Sequence, residues 1–403
     1  MALKYIICVI CFLCSQLIEA RSKTTFTDDS IHIDFLGKAY SLPPIGGLEQ
    51  FSGDINETKI SEYANHLPSN QLNEVCLSLL SIQKKENLDD WLYYQLVRRT
   101  AQECIHKKED YIGYTMLKWY ILSYTGYEPL LSVSENKLLL YIKSDDVIYN
   151  QPLKKIEDKQ YVCLNYHDYG FNVDFNHEKF INITSLLKEG GAFTFLVKTL
   201  PDFAESTYKT KELKFQYKKK ADQVNIKLNT NLSSYFTNYP VTEYKNQFNI
   251  PLSKETYQSL IPALKEKLIN FDKNKGVEYL MYFTRHAFIF ESDTEIFGRE
   301  KRLSPEETLF YEKSDCEDRS ALFFLLVKEI YDLPMIVLSS PQHVTVAVKL
   351  DKPSKHSILY EGNQYTICEP TPQGRELKVG EETSTIRKQH FTVEFAYDPT
   401  ENK

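Results

Sequence analysis

The sequence predicts a multidomain α+β protein. Three observations carry that expectation: apolar residues recur with a helical period over about 56–124, with period two over about 127–250, and with both periods in turn from about 253 onward. At 403 residues a single core would be unusually large, so two or three packing units are expected. A content of 42% hydrophobic, 26% charged and 13% aromatic residues excludes wholesale disorder. With 14 Gly and 16 Pro, the chain is neither collagenous nor of low complexity. A formal net charge of -7 argues against a nucleic-acid partner.

Residues 1–20 differ from the rest. Lys4 precedes an apolar run over 5–13, and Ile18, Glu19 and Ala20 end in a small residue before Arg21, the pattern of a signal peptide. The run is shorter than the roughly 20 residues that cross a bilayer, so the product is expected to be secreted or periplasmic and not membrane-spanning after cleavage. Cys76, Cys104, Cys163, Cys316 and Cys368 then remain. An odd number in an oxidising compartment leaves at least one thiol free or joined to another chain.

The first unit, 21–126, is expected to be a helical domain. Leu72, Val75, Cys76, Leu79 and Leu80 form the stripe of one buried helix face, with Asn70 placed to cap it. A second helix should cover about 88–106, begun by Asp89 and Asp90, and a third 111–124, stopped by Gly126 in a left-handed cap. Cys76 and Cys104 then lie on neighbouring helices, as a disulfide or as two buried thiols. The second unit, 127–250, offers strands at 138–142, 161–164, 193–197, 213–217 and 224–228. The last two are split by a polar connection suited to a hairpin. Short strands with polar spacers predict an all-β, sandwich-like module.

The third unit, 251–403, mixes both periods. Helices are expected over 260–271 and 277–288. Ser304, Pro305, Glu306 and Glu307 offer a capping box with a proline at the first turn. A longer helix should begin near Cys316, its stripe of Leu322, Phe323, Leu326 and Ile330 ending at Asp332, Leu333 and Pro334. Strands follow at 335–338, 343–350 and 365–369. At a helix start, unpaired backbone N–H groups and the dipole favour an anion, so the Cys316 thiol pKa is expected to be depressed. A hairpin centred on 351–362 would set His343 directly opposite Glu369, close enough for the carboxylate to orient the imidazole.

These residues resemble the transglutaminase-like superfamily, whose core is shared with papain-type cysteine peptidases. The matching stretches are Ser314, Asp315, Cys316, Glu317 and Asp318 at the helix start, His343 opening a strand, and Glu369, Pro370 and Thr371 closing the next one. Glu369 stands where the family usually has Asp, Val344 and Thr345 where it has an aromatic residue after the histidine, and no glycine precedes the cysteine. The resemblance covers about 120 residues and implies Cys316 as nucleophile, His343 as general base and then acid, and Glu369 as the residue that orients the imidazole.

The expected activity is that of an exported cysteine hydrolase cleaving an amide of a peptide, protein or cell-wall-like substrate through a thioester. An amine in place of water would make it a cross-linking acyltransferase. The alternative is a catalytically degenerate copy serving as a binding or assembly scaffold. No D-x-D-x-D-G run occurs, so neither a metal nor another cofactor is expected.

Overall fold

The computed structural model describes residues 30–134, 136–175, 177–183, 189–355 and 357–400, and the expected signal peptide lies outside them. The chain mixes α and β structure. Among the described residues no helix is long and apolar enough to cross a membrane.

It begins with a hairpin of β1 (Ile31–Phe35) and β2 (Lys38–Leu42). The turn needs Gly37, which has φ 72° and where a Cβ would meet Thr207 Cγ2 at 2.3 Å. Four helices follow: α1 (Glu57–His66), α2 (Ser69–Glu86), α3 (Asp90–Cys104) and α4 (Tyr111–Tyr124). Asn56 caps α1 by accepting from Lys59 N at 3.0 Å, and Asp110 caps α4 by accepting from Gly113 N at 2.7 Å. Asn70 is no cap: α2 already starts at Ser69, behind Pro68, with no side-chain cap. Gly126 does adopt positive φ, at 100°, where α4 ends. Almost every residue of α4 is buried, as befits a helix apolar all round. Cys76 and Cys104 are both free, the first wholly buried and the second half-buried, so no disulfide joins their helices.

Strands β3 (Pro129–Ser134), β4 (Lys137–Lys143), β5 (Leu153–Ile156), β6 (Lys159–Cys163) and β7 (Ile181–Ile183) form one sheet, ordered β5-β6-β4-β3-β7. Leu131, Val133, Leu138, Leu140 and Ile142 join it to the helical core, while Leu130, Leu139, Tyr141, Tyr161 and Cys163 make a small cluster with Val173 on the other side. No second sheet packs on it among the described residues, which corrects the sandwich expectation.

The stretch 193–197 shows why. Phe193, Phe195 and Val197 are buried alternately as a strand would bury them. Phe193 N donates to the Lys143 carbonyl at the end of β4 at 2.8 Å, but the next two amides go to carboxylates: Thr194 N donates to Asp90 Oδ2 at 2.9 Å and Phe195 N to Asp146 Oδ2 at 2.6 Å. Strands β8 (Tyr208–Tyr217) and β9 (Lys220–Asn229) do pair, across a tight turn in which Lys218 and Lys219 take φ 48° and 63°. Their apolar face belongs to a second core further along the chain.

After the short α5 (Leu232–Phe236) and α6 (Tyr244–Phe248), α7 (Lys254–Leu268) and α8 (Lys273–His286) pack on that hairpin. Then come β10 (Ile289–Phe290), α9 (Asp293–Phe297), α10 (Pro305–Phe310), β11 (Lys313–Ser314) and α11 (Cys316–Tyr331). The capping box of α10 forms as expected, with Ser304 and Glu307 bonding each other's backbone. A final sheet of β12 (Met335–Ser340), β13 (His343–Val348), β14 (Ser357–Tyr360), β15 (Asn363–Cys368) and, beyond α12 (Ser384–Arg387), β16 (Thr392–Tyr397) is ordered β14-β15-β13-β12-β16. One face, with Met335, Val337, Val344, Val346, Val348 and Cys368, packs in the second core with α11. The other carries Ile336, Leu338, Ala347, Tyr365 and Ile367.

The register of this sheet corrects one expectation. Val346 lies opposite Cys368 and Ala347 opposite Ile367, a slip of two residues from the pairing that would oppose His343 and Glu369. The cause is β14, which turns into β15 at Glu361 and Gly362 and makes the β13–β15 connection longer than a simple hairpin. A slip of two preserves faces, so His343 and Glu369 remain on the same side, as diagonal neighbours within reach.

Candidate active site

The site forms where the start of α11 meets the start of β13 and the end of β15. Helix α11 begins at Cys316 because Asp315 adopts extended backbone and accepts from Asp318 N at 3.4 Å. One turn on, Ser320 Oγ donates to the Val344 carbonyl at 3.0 Å, tying the helix to β13 beside His343. Thr345 Oγ1 donates to the Cys368 carbonyl at 3.4 Å, tying β13 to β15 just before Glu369.

His343 Nε2 lies 2.7 Å from Glu369 Oε2. The carboxylate is wholly buried, and its other oxygen accepts from Thr371 N at 2.8 Å. The main-chain carbonyl of Glu369 accepts from the buried Arg285, which also donates to the Leu377 carbonyl at 2.8 Å. Glu369 is thus held from three directions and in turn fixes the imidazole. Burial acts to lower the His343 pKa, but the bond to Glu369, its charge and that of Glu317 outweigh it, and the pKa is raised. Phe391 stands beside the imidazole, ring centroids 6.5 Å apart, an aromatic neighbour supplied from the approach to β16.

The half-buried Cys316 thiol bonds to a different acid. Its sulfur lies 2.9 Å from Glu317 Oε2, and the Val344 amide, next in the chain to His343, also acts on it. No hydrogen bond joins these two described residues, Cys316 and His343. The expected depressed thiol pKa is overturned: burial, then the charges of Glu317 and Asp315, push it well above the ordinary value. The helix start favours a thiolate, but carboxylates on both flanking residues oppose it at shorter range. All five described cysteines are free, so the odd count does not single out Cys316. Burial narrows the choice, because Cys76, Cys163 and Cys368 are buried while Cys104 and Cys316 are half-buried.

Next to the thiol lies a feature that sequence reasoning missed. One carboxylate oxygen from each of Asp293, Asp315 and Asp318 lies within 4.8 Å of the others, and all three residues are buried. Main-chain amides orient two of them: Lys301 N donates to Asp293 Oδ2 and Leu303 N to Asp318 Oδ1, both at 2.8 Å. Their remaining oxygens, Asp293 Oδ1 and Asp318 Oδ2, are buried with no hydrogen-bond partner among the described residues. Asp318 is completely inaccessible, and burial raises the pKa of all three groups, helped by repulsion from Glu300 and Glu317 at Asp293, from Glu317 and Asp293 at Asp315, and from Asp315, Asp293 and Glu317 at Asp318. Arg319 acts on Asp318 and Asp315 as a compensating charge, but it spends its hydrogen bonds on the carbonyls of Thr284, Arg285 and Phe288, and Lys301, which acts on Asp293, is paired with Glu307. An all-oxygen set of this kind is suited to a hard divalent cation. Only Asp315 and Asp318 were visible as a local motif; Asp293 comes from another helix.

The chain has no significant match among protein-family models, curated proteins or solved structures.

Proposed function

We propose that the chain is an exported cysteine hydrolase of the transglutaminase-like, papain-like kind, acting on an amide of a peptide, protein or cell-wall-like polymer. The observation that carries this reading is the buried His343–Glu369 pair at 2.7 Å, next in the chain to the amide that acts on the Cys316 sulfur. With Nε2 engaged by Glu369, Nδ1 is the nitrogen that accepts the thiol proton. The sulfur attacks the amide carbonyl, His343 returns the proton to the leaving amine as the C–N bond breaks, and water resolves the thioester. An amine in place of water gives acyl transfer.

Because the resting thiol is neutral and bonded to Glu317, the proton moves to His343 during attack rather than beforehand. Iodoacetamide labelling of Cys316, followed by peptide mass analysis, tests the reading: the parent should label faster than a His343→Ala variant. Equal rates exclude catalysis by this pair. The Cys316–Glu317 bond favours a second reading, a scaffold in which the thiol is kept unreactive; that reading requires equal rates.

A further inference from the structure

Far from Cys316 in sequence, a cavity of about 350 Å³ opens beside α3, lined among others by Gln95, Arg98, Arg99, Lys107 and Tyr114. Its volume is in the range of small-molecule sites. The groups behind it are unusual in their charge balance. Arg98, Lys107, Lys118 and His167 converge from α3, the α3–α4 connection, α4 and the segment after β6 onto one carboxylate, Asp168. Lys107 is ion-paired with Asp168, Tyr111 donates to it at 3.0 Å, and His167 Nε2 lies 3.0 Å away.

That leaves Arg98 and Lys118 without a carboxylate at ion-pair distance among the described residues. Lys118 is 1% exposed, and its ammonium lies 4.3 Å from the centre of the Tyr114 ring, which lines the cavity. Burial pulls its pKa down to about 7. Arg98 donates to Gln95 Oε1 at 2.8 Å and is also bonded to Tyr114, and the Gln95 Nε2 group, on a side chain 4% exposed, has no partner among the described residues. A half-buried guanidinium with no carboxylate partner and an orphaned amide donor meet on one cavity wall, with the buried Lys118 behind it, and both are relieved by the same ligand, an oxyanion. The acidic residues on the lining, Asp34 and Glu103, are exposed at the rim, where water screens them.

We propose that this cavity binds a small acid, with its carboxylate or phosphate group seated against the Arg98 guanidinium and the Gln95 amide, and with Lys107 and Lys118 supplying the surrounding positive field. The site is independent of the Cys316 chemistry.

The test is thermal melting of the full chain in sodium chloride, with chloride replaced at fixed ionic strength by sodium phosphate or by disodium succinate. A saturable rise in Tm with one of the two supports the site, and which anion gives it separates phosphate from carboxylate recognition. Arg98→Gln should weaken the response at least about tenfold, the loss of one charge-assisted contact. Gln95→Glu keeps the acceptor for Arg98 and supplies the missing negative charge from within. That variant should melt higher than the parent without added anion and no longer respond to it, which keeps the test decisive if Arg98→Gln fails to fold. The proposal is overturned if neither anion gives a saturable shift, if Arg98→Gln responds like the parent, or if Gln95→Glu melts lower.

Discussion

The Cys316 sulfur sits 2.9 Å from Glu317 Oε2, so the thiol proposed as nucleophile is held by the side chain that follows it. The charge of Glu317 is also felt at His343, where it helps raise the pKa, so this one carboxylate acts on both halves of the site. Replacing Glu317 by Gln keeps a hydrogen-bond acceptor and removes the charge. The thiol pKa should fall, and each unit of fall gives about tenfold more thiolate at neutral pH. Alkylation of Cys316 at pH 7.5 is therefore expected to be several-fold faster in Glu317→Gln; an unchanged or slower rate would show that burial alone holds the thiol neutral.

The His343–Glu369 pair gives a pH signature. Because the folded-state pKa of His343 is raised, the native protein binds this proton more tightly than the unfolded chain does. Its contribution to stability is complete below about pH 6.5 and is lost as pH rises through the folded value. Melting temperatures measured from about pH 6 to 8.5 should fall less steeply in His343→Gln than in the parent. For the same reason, the rise of Cys316 alkylation with pH should have its midpoint above about 6.5. Glu369→Gln should bring that midpoint down, since it removes the charge that holds the proton.

What the sequence disclosed and what it hid have physical causes. The capping box at Ser304, the helix start at Cys316, the strand opened by His343 and the one that ends just before Glu369 were legible because each rests on local chemistry within a few residues. The register was not, since nothing local reports that β14 lies inside the connection. The stretch 193–197 has the alternation of a strand, but alternation reports burial and not where the amides find their acceptors, here Asp90 and Asp146. The thiol pKa was misjudged for a related reason. A helix start favours the thiolate and the acidic residues beside it oppose it; both are plain in the sequence, but the size of the opposition depends on proximity and burial, which the sequence does not carry.

The buried oxygens of Asp293 and Asp318 lead to a metal prediction. Ligands on opposite sides of Ca²⁺ are about 5 Å apart at metal–oxygen distances near 2.5 Å, which accommodates three oxygens that all lie within 4.8 Å of one another. Calcium chloride at millimolar concentration should raise the Tm of the full chain and EDTA should reverse it, with the response lost in Asp318→Asn and in Asp293→Asn. A bound cation would also offset the charge of Asp315 beside the thiol, so calcium should speed alkylation of Cys316 in the parent alone. If instead calcium does nothing and Asp318→Asn melts higher than the parent, the three groups hold protons and the asparagine merely relieves their repulsion.

The core beneath the site makes the last prediction. Phe324 lies two turns along α11 from Cys316, is fully buried, and meets Phe248, Phe395 and Tyr397 edge-on with centroids 5.6, 5.3 and 5.8 Å apart. Through these contacts α11 is clamped between α6 and β16, the strand that flanks β12 at the sheet edge. Phe324→Ala should cost about 3–5 kcal/mol, combining lost burial with the cavity left behind, since three aromatic neighbours from two other elements cannot all collapse into it. Phe324→Leu, which fills most of the space, should cost clearly less. Urea unfolding of the two variants checks this, and equal losses would mean that ring-edge contacts rather than volume hold the helix in place.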